Sequence, residues 1–116
     1  MILQDSDPIV VLEPMHDLYD GGESDHMEDA LTRLAERGTQ VVVDLTRVRH
    51  LTARCLGILA QAHRVAARNN GCIVLSGATR VQRWLLRKTG LAEVLSVHDD
   101  VASARRHLAT LPRAVA

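Results

Sequence analysis

The sequence has very few aromatic residues: among its 116 residues there is no Phe, one Trp and one Tyr. Proteins that bind single-stranded nucleic acid stack the bases on aromatic side chains, and this chain offers almost none. Its 14 basic side chains balance 14 acidic ones, so no net positive charge attracts a polyanion or an anionic bilayer. We therefore expect neither a nucleic acid nor a membrane as partner.

Cysteines and long apolar runs are also scarce. The two cysteines, Cys55 and Cys72, form no CxxC pair, which argues against a disulfide framework and against a zinc site. No segment approaches the ~20 apolar residues of a membrane-spanning helix, and the N-terminus lacks the basic and apolar regions of a signal peptide. The sequence thus predicts a cytoplasmic protein with no metal or other cofactor.

What the chain does contain is a regular alternation of apolar runs and amphipathic segments, and its 47% hydrophobic content is enough for one core. The apolar runs predict strands over 9–14, 39–45, 72–77 and 94–98. The amphipathic segments predict helices over about 25–37, from Thr52 to Asn69, over about 80–89, and after Asp99 or Asp100. Because parallel strands need a crossover element between them, this order predicts an α/β domain with a mixed or largely parallel sheet.

The third of these helices has a distinct composition. Thr79 is the expected N-cap and Gly90 the expected C-cap, and the spacing places Val81, Trp84, Leu85 and Lys88 on one stripe. The basic residues around this helix are Arg80, Arg83, Arg87 and Lys88. They can bind a phosphorylated or acidic partner, but with no Phe and no net charge a solvated helix face is the better interpretation.

The junction between the second predicted strand and its helix, DLTRVRHLTARCLGIL, is the candidate site. With Thr52 as N-cap, Arg54 and Cys55 lie in a first helical turn, where unsatisfied backbone N–H groups suit an anion or a partner's carboxylate. The simpler interpretation is that these residues only cap and pack the helix. An enzyme using the Cys55 thiol is a third interpretation, but no base is predicted beside it, and a small buried side chain is the better interpretation of Cys55.

His63 follows on the apolar stripe of the same helix, where a hydrogen-bonded boundary histidine is a better interpretation than a catalytic base. We therefore predict no catalytic residue and no enzymatic activity.

The same stretch, VVVDLTRVRHLTARCLGIL, resembles the signature of the STAS family, which includes bacterial anti-sigma-factor antagonists and the cytoplasmic tails of sulphate transporters. That signature is a Val-rich strand ending in Asp-Leu-Ser, then an apolar residue, Asp-Ser-Ser-Gly-Leu-Gly and a helix. The pairs Asp44-Leu45 and Leu56-Gly57 fit it, and Thr89-Gly90-Leu91 fits the end of the family's next helix.

The resemblance spans about residues 9–111, with 1–8 expected as a flexible lead-in and 112–116 as a C-terminal tail. It implies a single STAS-like domain, in which a mixed sheet of about four to five strands has about four helices packed mainly on one face. It also implies a partner-binding surface at the start of the helix that follows the central strand.

In the antagonists, that surface docks on a serine kinase that is also an anti-sigma factor, and the kinase phosphorylates the first serine of the signature. The resemblance places this serine on Ala53, the preceding aspartate on Thr52, and the next two residues on Arg54 and Cys55. Alanine has no hydroxyl, so phosphorylation at position 53 is not expected, whereas Thr52 is a conceivable acceptor. The family's Gly-Glu-Leu-Asp segment corresponds to HDLY, which places Tyr19 at its aspartate.

These features together predict a non-enzymatic regulatory module. The expected partner is an anti-sigma serine kinase or another STAS-pathway protein, with a second copy of the chain as a further candidate. The expected contacts are Tyr19 and the segment Thr52, Ala53, Arg54 and Cys55. The alternative is a STAS domain that senses a small ligand or nucleotide through the helix N-terminus at 52–55.

Overall fold

The computed structural model describes residues 2–6, 9–14 and 22–111, with side chains over 9–14 and 26–111. In these residues the strands are β1 (Ile2–Ser6), β2 (Ile9–Glu13), β3 (Gln40–Asp44), β4 (Cys72–Ser76) and β5 (Val97–His98). The helices are α1 (Gly22–Glu36), α2 (Ala53–Arg68), α3 (Arg80–Lys88) and α4 (Val101–Thr110), with a 3₁₀ turn at Leu91–Glu93. The predicted order of the four strands β2 to β5 and of the four helices is thereby confirmed, although the strand predicted over 94–98 is reduced to Val97–His98.

The strands form one five-stranded sheet in the order β1-β2-β3-β4-β5. Strands β2 to β5 run parallel, and β1 pairs antiparallel with β2. The predicted α/β domain with a mixed sheet is therefore confirmed.

Strand β1 lies in the segment that the sequence analysis assigned to a flexible lead-in. Ile2 is opposite Glu13, and Ser6 is opposite Ile9. The segment is half polar, which hides it from a hydropathy reading, but polar residues suit an edge strand. Backbone pairing with β2 makes this segment a strand.

Helices cover both faces of the sheet unequally. On one face, α1, α2 and α3 pack through Met27, Leu31, Leu59 and Leu86 against alternate strand residues such as Val41, Val43, Ile73 and Leu75. On the other face, Ala104 and Leu108 of α4 pack against the intervening residues, including Val42 and Val74. The expectation that the helices pack mainly on one face is confirmed, since α4 alone covers the other.

Helix α3 does not bury the stripe that its sequence suggested. Gln82 and Leu86 face the core, whereas Val81 is 74% exposed and Trp84 is 53% exposed. Gln82 is buried because its side chain finds hydrogen-bond partners inside the fold. The helix is therefore rotated relative to the orientation that the hydropathy of its residues predicts, and two of its large apolar side chains, Val81 and Trp84, face solvent.

His63 is the hydrogen-bonded boundary histidine that the sequence suggested. Its Nδ1 atom accepts a hydrogen bond from the backbone N–H of Ile73 at 3.3 Å, which joins α2 to β4. Burial lowers the pKa of His63 below its ordinary value of 6.5, and the positive charge of Arg64 acts in the same direction. The neutral imidazole is thus the form that the folded protein prefers.

We expect the free energy of unfolding to decrease as the pH is lowered below about 6.5. There the unfolded chain protonates His63, whereas the folded protein binds that proton only at a lower pH, so stability is lost as the pH falls through the lowered pKa. Urea unfolding between about pH 8 and pH 5 measures the loss. His63→Gln keeps a side-chain oxygen that can accept from the Ile73 N–H, and this variant should lose less stability as the pH falls. If its free energy of unfolding depends on pH as that of the native protein does, His63 is not the group responsible.

Candidate functional site

The candidate site begins where β3 ends, at the nearly buried carboxylate of Asp44. Its Oδ1 atom accepts hydrogen bonds from the Thr46 backbone N–H at 3.1 Å, the Thr46 hydroxyl at 2.6 Å and the Ser76 hydroxyl at 3.4 Å. Gly77 lies against this turn with a φ of +71°, and a Cβ there would collide with Thr46 Oγ1. Asp44 therefore organises the turn after β3 and joins it to the end of β4.

The loop from Leu45 to Thr52 is held down by α3. The Gln82 side-chain amide donates to the backbone carbonyl of Val48 at 2.7 Å and to that of Arg49 at 3.2 Å. Its carbonyl oxygen accepts from the Thr79 backbone N–H at 2.9 Å, while the Thr79 hydroxyl accepts from Gln82 N–H. The sequence analysis missed Gln82, although Thr79-x-x-Gln82 is the sequence pattern of a capping box.

Helix α2 begins at Ala53 with the predicted cap. Thr52 has extended backbone angles, and its side-chain oxygen accepts a hydrogen bond from the Cys55 backbone N–H at 3.1 Å. This cap satisfies one of the amides that an anion would otherwise use. No acidic residue lies in the first turn of α2, so the positive end of the helix dipole is not neutralised by the helix itself.

Ala53 and Arg54 are exposed on this first turn. The Arg54 guanidinium lies 3.5 Å from Glu28 Oε1 of α1, and both side chains remain nearly half exposed. An ion pair of this kind contributes ~0–1 kcal/mol, because solvent screens it. Arg54 can therefore exchange Glu28 for a carboxylate on another molecule at little energetic cost.

The remaining predicted contact residues lie elsewhere. The Cys55 side chain is fully buried in the main core cluster, so it anchors α2 and presents no thiol to a substrate or partner. The other thiol, that of Cys72, is half-buried, and burial raises its pKa, which disfavours the reactive thiolate. Tyr19 lies outside the described residues.

The described residues offer neither a metal site nor a membrane-spanning helix. They contain no cluster of three His, Cys, Asp or Glu side chains placed to hold a metal ion. None of their helices has the length and apolarity that crossing a bilayer requires.

Solved structures with this fold include a candidate anti-sigma factor antagonist from Thermotoga maritima, with a TM-score of 0.83, 14% identity and 93% coverage of each chain. An anti-sigma factor antagonist from Mycobacterium paratuberculosis has a TM-score of 0.78 and 19% identity, covering 93% of this chain and 92% of that one. The Bacillus cell fate determinant SpoIIAA, in its phosphorylated form, has a TM-score of 0.70 and 12% identity, covering 91% and 97%. At these identities the likeness establishes the fold.

Sequence comparison identifies the family more directly. No curated protein matches the chain. A family model described as "Mlab, STAS domain" matches residues 19–97, a span that includes α1, α2 and α3 together with the Asp44 turn and the Thr52 cap. The chain therefore belongs to the STAS domain family.

Proposed function

We propose that this protein is a non-enzymatic regulatory module that binds an anti-sigma serine kinase or another STAS-pathway protein through the start of α2. The observation that carries the proposal is the pair of exposed residues Ala53 and Arg54 on a first helical turn whose cap is already complete. A small, uncharged residue beside a cation leaves room for a partner's backbone and attracts a partner's carboxylate. The neighbouring loop is fixed by Gln82, so this surface is pre-organised for docking.

The proposed module is not switched by phosphate at position 53. Ala53 has no hydroxyl to accept a phosphoryl group, and the Thr52 oxygen is occupied by the Cys55 N–H. A phosphate on Thr52 would have to displace that cap, which contributes ~1 kcal/mol to the helix. We infer that the partner is bound or released through its own state rather than through modification of this chain.

The alternative, a small anionic ligand at the N-terminus of α2, draws less support from the geometry. The Cys55 amide, one of the first-turn N–H groups that have no partner within the helix ladder, already donates to the Thr52 side chain. One of the amides that an anion would use is therefore engaged within the chain.

The test is capture of partners from a lysate of the protein's own cells, with identification of the retained proteins by mass spectrometry. We expect the native protein to retain a kinase-type anti-sigma factor, and Ala53→Glu and Arg54→Glu each to lose it. A glutamate at either position should keep α2 folded, because negative charge at a helix N-terminus is favourable by ~0.3–1 kcal/mol. Loss of binding would then reflect the surface and not unfolding.

Arg68→Glu is the matched control, since Arg68 is an exposed arginine at the opposite end of α2. It should retain the partner. Retention by all three variants, or loss in all three, contradicts the proposed surface. If no protein is retained by any form, and a nucleotide raises the melting temperature of the native protein, the ligand-sensing alternative replaces the proposal.

The captured kinase also tests the proposal that phosphorylation does not switch this chain. Incubated with it and ATP, the native protein should gain no phosphate at residues 52–53, as read by peptide mass spectrometry. Ala53→Ser supplies the missing hydroxyl and should become phosphorylated. Phosphate on Thr52 of the native protein contradicts the inferred lack of switching, and an unmodified Ala53→Ser contradicts the assignment of position 53.

A further inference from the structure

The outer face of α3, here called the ridge, carries Trp84 at its centre, and an open pocket on this face is lined by Trp84 with Arg80, Arg83 and Arg87. Among the described residues, Val81 and Trp84 are the exposed large hydrophobic side chains. Arg80, Arg87 and Lys88 lie at helical spacing around the indole, and Lys88 Nζ is 6.0 Å from its ring centroid. A helix face that is merely solvated needs no indole, and tryptophan with arginine is the combination enriched at the centres of protein interfaces.

A groove of complementary character lies between α1 and α2. It has a volume of about 190 Å³. Its floor is apolar, formed by Ala35, Ile58 and Ala62, which are buried or nearly so. Glu28 and Glu36 stand at its edge, and Thr32, Gln61 and Val65 complete the lining. An apolar floor beside two carboxylates suits an indole that arrives with cations around it.

The ridge and the groove lie toward opposite ends of the layer that α1, α2 and α3 form on one face of the sheet. The strand order places α2 between α1 and α3 on the sheet face that these three helices share, so a single copy cannot insert its own Trp84 into its own groove. The two surfaces differ in charge: α1 supplies the carboxylates of the groove, Glu28 and Glu36, and the α2 residues that line it are uncharged, whereas α3 contains four basic residues and no acidic one. The net charge of zero hides this separation.

We propose that Trp84 of one copy docks in the α1–α2 groove of a second copy, with Arg80, Arg87 and Lys88 facing Glu28 and Glu36. The contact joins two different surfaces, so the association is head-to-tail: each added copy leaves one ridge and one groove available. It relies on charge complementarity between exposed groups and should weaken at high salt. This interface goes beyond the proposed partner surface, because its contacts lie on α3 and in the α1–α2 groove; the two surfaces meet at Glu28, which pairs with Arg54.

Trp84 is the only tryptophan in the chain, so its fluorescence reports on the ridge alone. As the native protein is concentrated, we expect the emission to shift to shorter wavelength, because the indole leaves water. Sedimentation should show the average mass rising over the same concentration range. Both changes should reverse in ~1 M salt, where the Debye length falls to about 3 Å.

Two variants remove one surface each. Trp84→Ala removes the ridge, and Gln61→Arg places bulk and positive charge on an exposed position of the groove. Each variant alone should be monomeric, with self-association weakened by roughly 30-fold or more, the loss typical of a hot-spot residue. Ala67→Arg, at an exposed position of α2 that does not line the groove, is the matched control and should associate like the native protein.

An equimolar mixture of Trp84→Ala and Gln61→Arg tests whether the association is head-to-tail. The first variant keeps its groove and the second keeps its ridge, so a head-to-tail interface predicts a 1:1 heterodimer that grows no further. The emission of Trp84, present only in the Gln61→Arg copy, should shift on mixing.

Three results overturn the proposal: a native protein that stays monomeric with unchanged emission at every concentration, self-association that persists in either variant, or variants that fail to combine. Because neither substitution touches residues 52–55, partner capture by the two variants separates a failure here from a failure of the proposed function.

Discussion

Replacing Gly38 by alanine should lower the free energy of unfolding by roughly 2–5 kcal/mol, through two additive causes. Gly38 has a φ of +69°, and its Cβ would collide with the backbone carbonyl oxygen of Asn69. The left-handed conformation costs an alanine about 1–2 kcal/mol. Forcing two packed segments apart costs about 1–3 kcal/mol more.

The collision is severe because the neighbour is backbone and cannot rotate away. Gly38 follows α1, and Asn69 ends α2 with its side-chain amide donating to Val65 O at 2.9 Å and to Ala35 O at 3.4 Å. The ends of the two helices are thus held against each other. A shift at Gly38 would also disturb Gly71, which approaches the Gly38 carbonyl just before β4.

Gly90→Ala is the matched control for this prediction. Gly90 has a similar φ of +79°, but nothing lies within 4 Å of a Cβ built there. Only the conformational term of about 1–2 kcal/mol should remain. Urea unfolding with an unchanged m-value measures both variants. Equal losses in the two would show that the approach to Asn69 has no energetic consequence.

Gln82→Ala should destabilise the protein by roughly 2–3 kcal/mol and loosen the loop that leads into α2. The substitution leaves the nearly buried carbonyl of Val48 without its donor, and it removes the acceptor for Thr79 N–H. Hydrogen exchange should then speed up at the Val48 amide, which donates to Leu45 O within the same loop. Partner capture through Ala53 and Arg54 should weaken with it, because the surface is no longer pre-organised.

Thr79→Ala separates this effect from a simple capping defect. It deletes the hydroxyl that caps α3 but keeps every hydrogen bond of the Gln82 side chain. The expected loss is ~1 kcal/mol, with no faster exchange in the 45–50 loop. If both variants lose similar stability and exchange alike in that loop, Gln82 acts only as part of the cap, and the proposed positioning role is wrong.

Local signals explain why much of the fold was predictable. The run Val41-Val42-Val43 is buried on both faces of the sheet, as three consecutive β-branched residues indicate. The Thr52 and Thr79 caps depend on residues three positions apart, and such short-range patterns are readable directly. The candidate site was located for the same reason, since it lies at a strand-to-helix junction.

The orientation of α3 was not predictable in this way. A hydropathy reading favours burial of Trp84 over Gln82, but Gln82 finds its acceptor at Val48, 34 residues earlier in the chain. Strand β1 was missed because its pairing with β2 depends on backbone hydrogen bonds, which leave little trace in side-chain polarity.

The sequence by itself determined the order of strands β2 to β5 and of the four helices, the caps of α2 and α3, and the absence of a hydroxyl at Ala53. These depend on periodicity, short-range hydrogen bonding and residue identity, all of which act within a few positions of the chain. Only the tertiary structure decided that Trp84 faces solvent and that α1 and α2 enclose an acid-edged groove. Each of these arises from packing between segments far apart in sequence, where a side chain's surroundings override its own hydropathy.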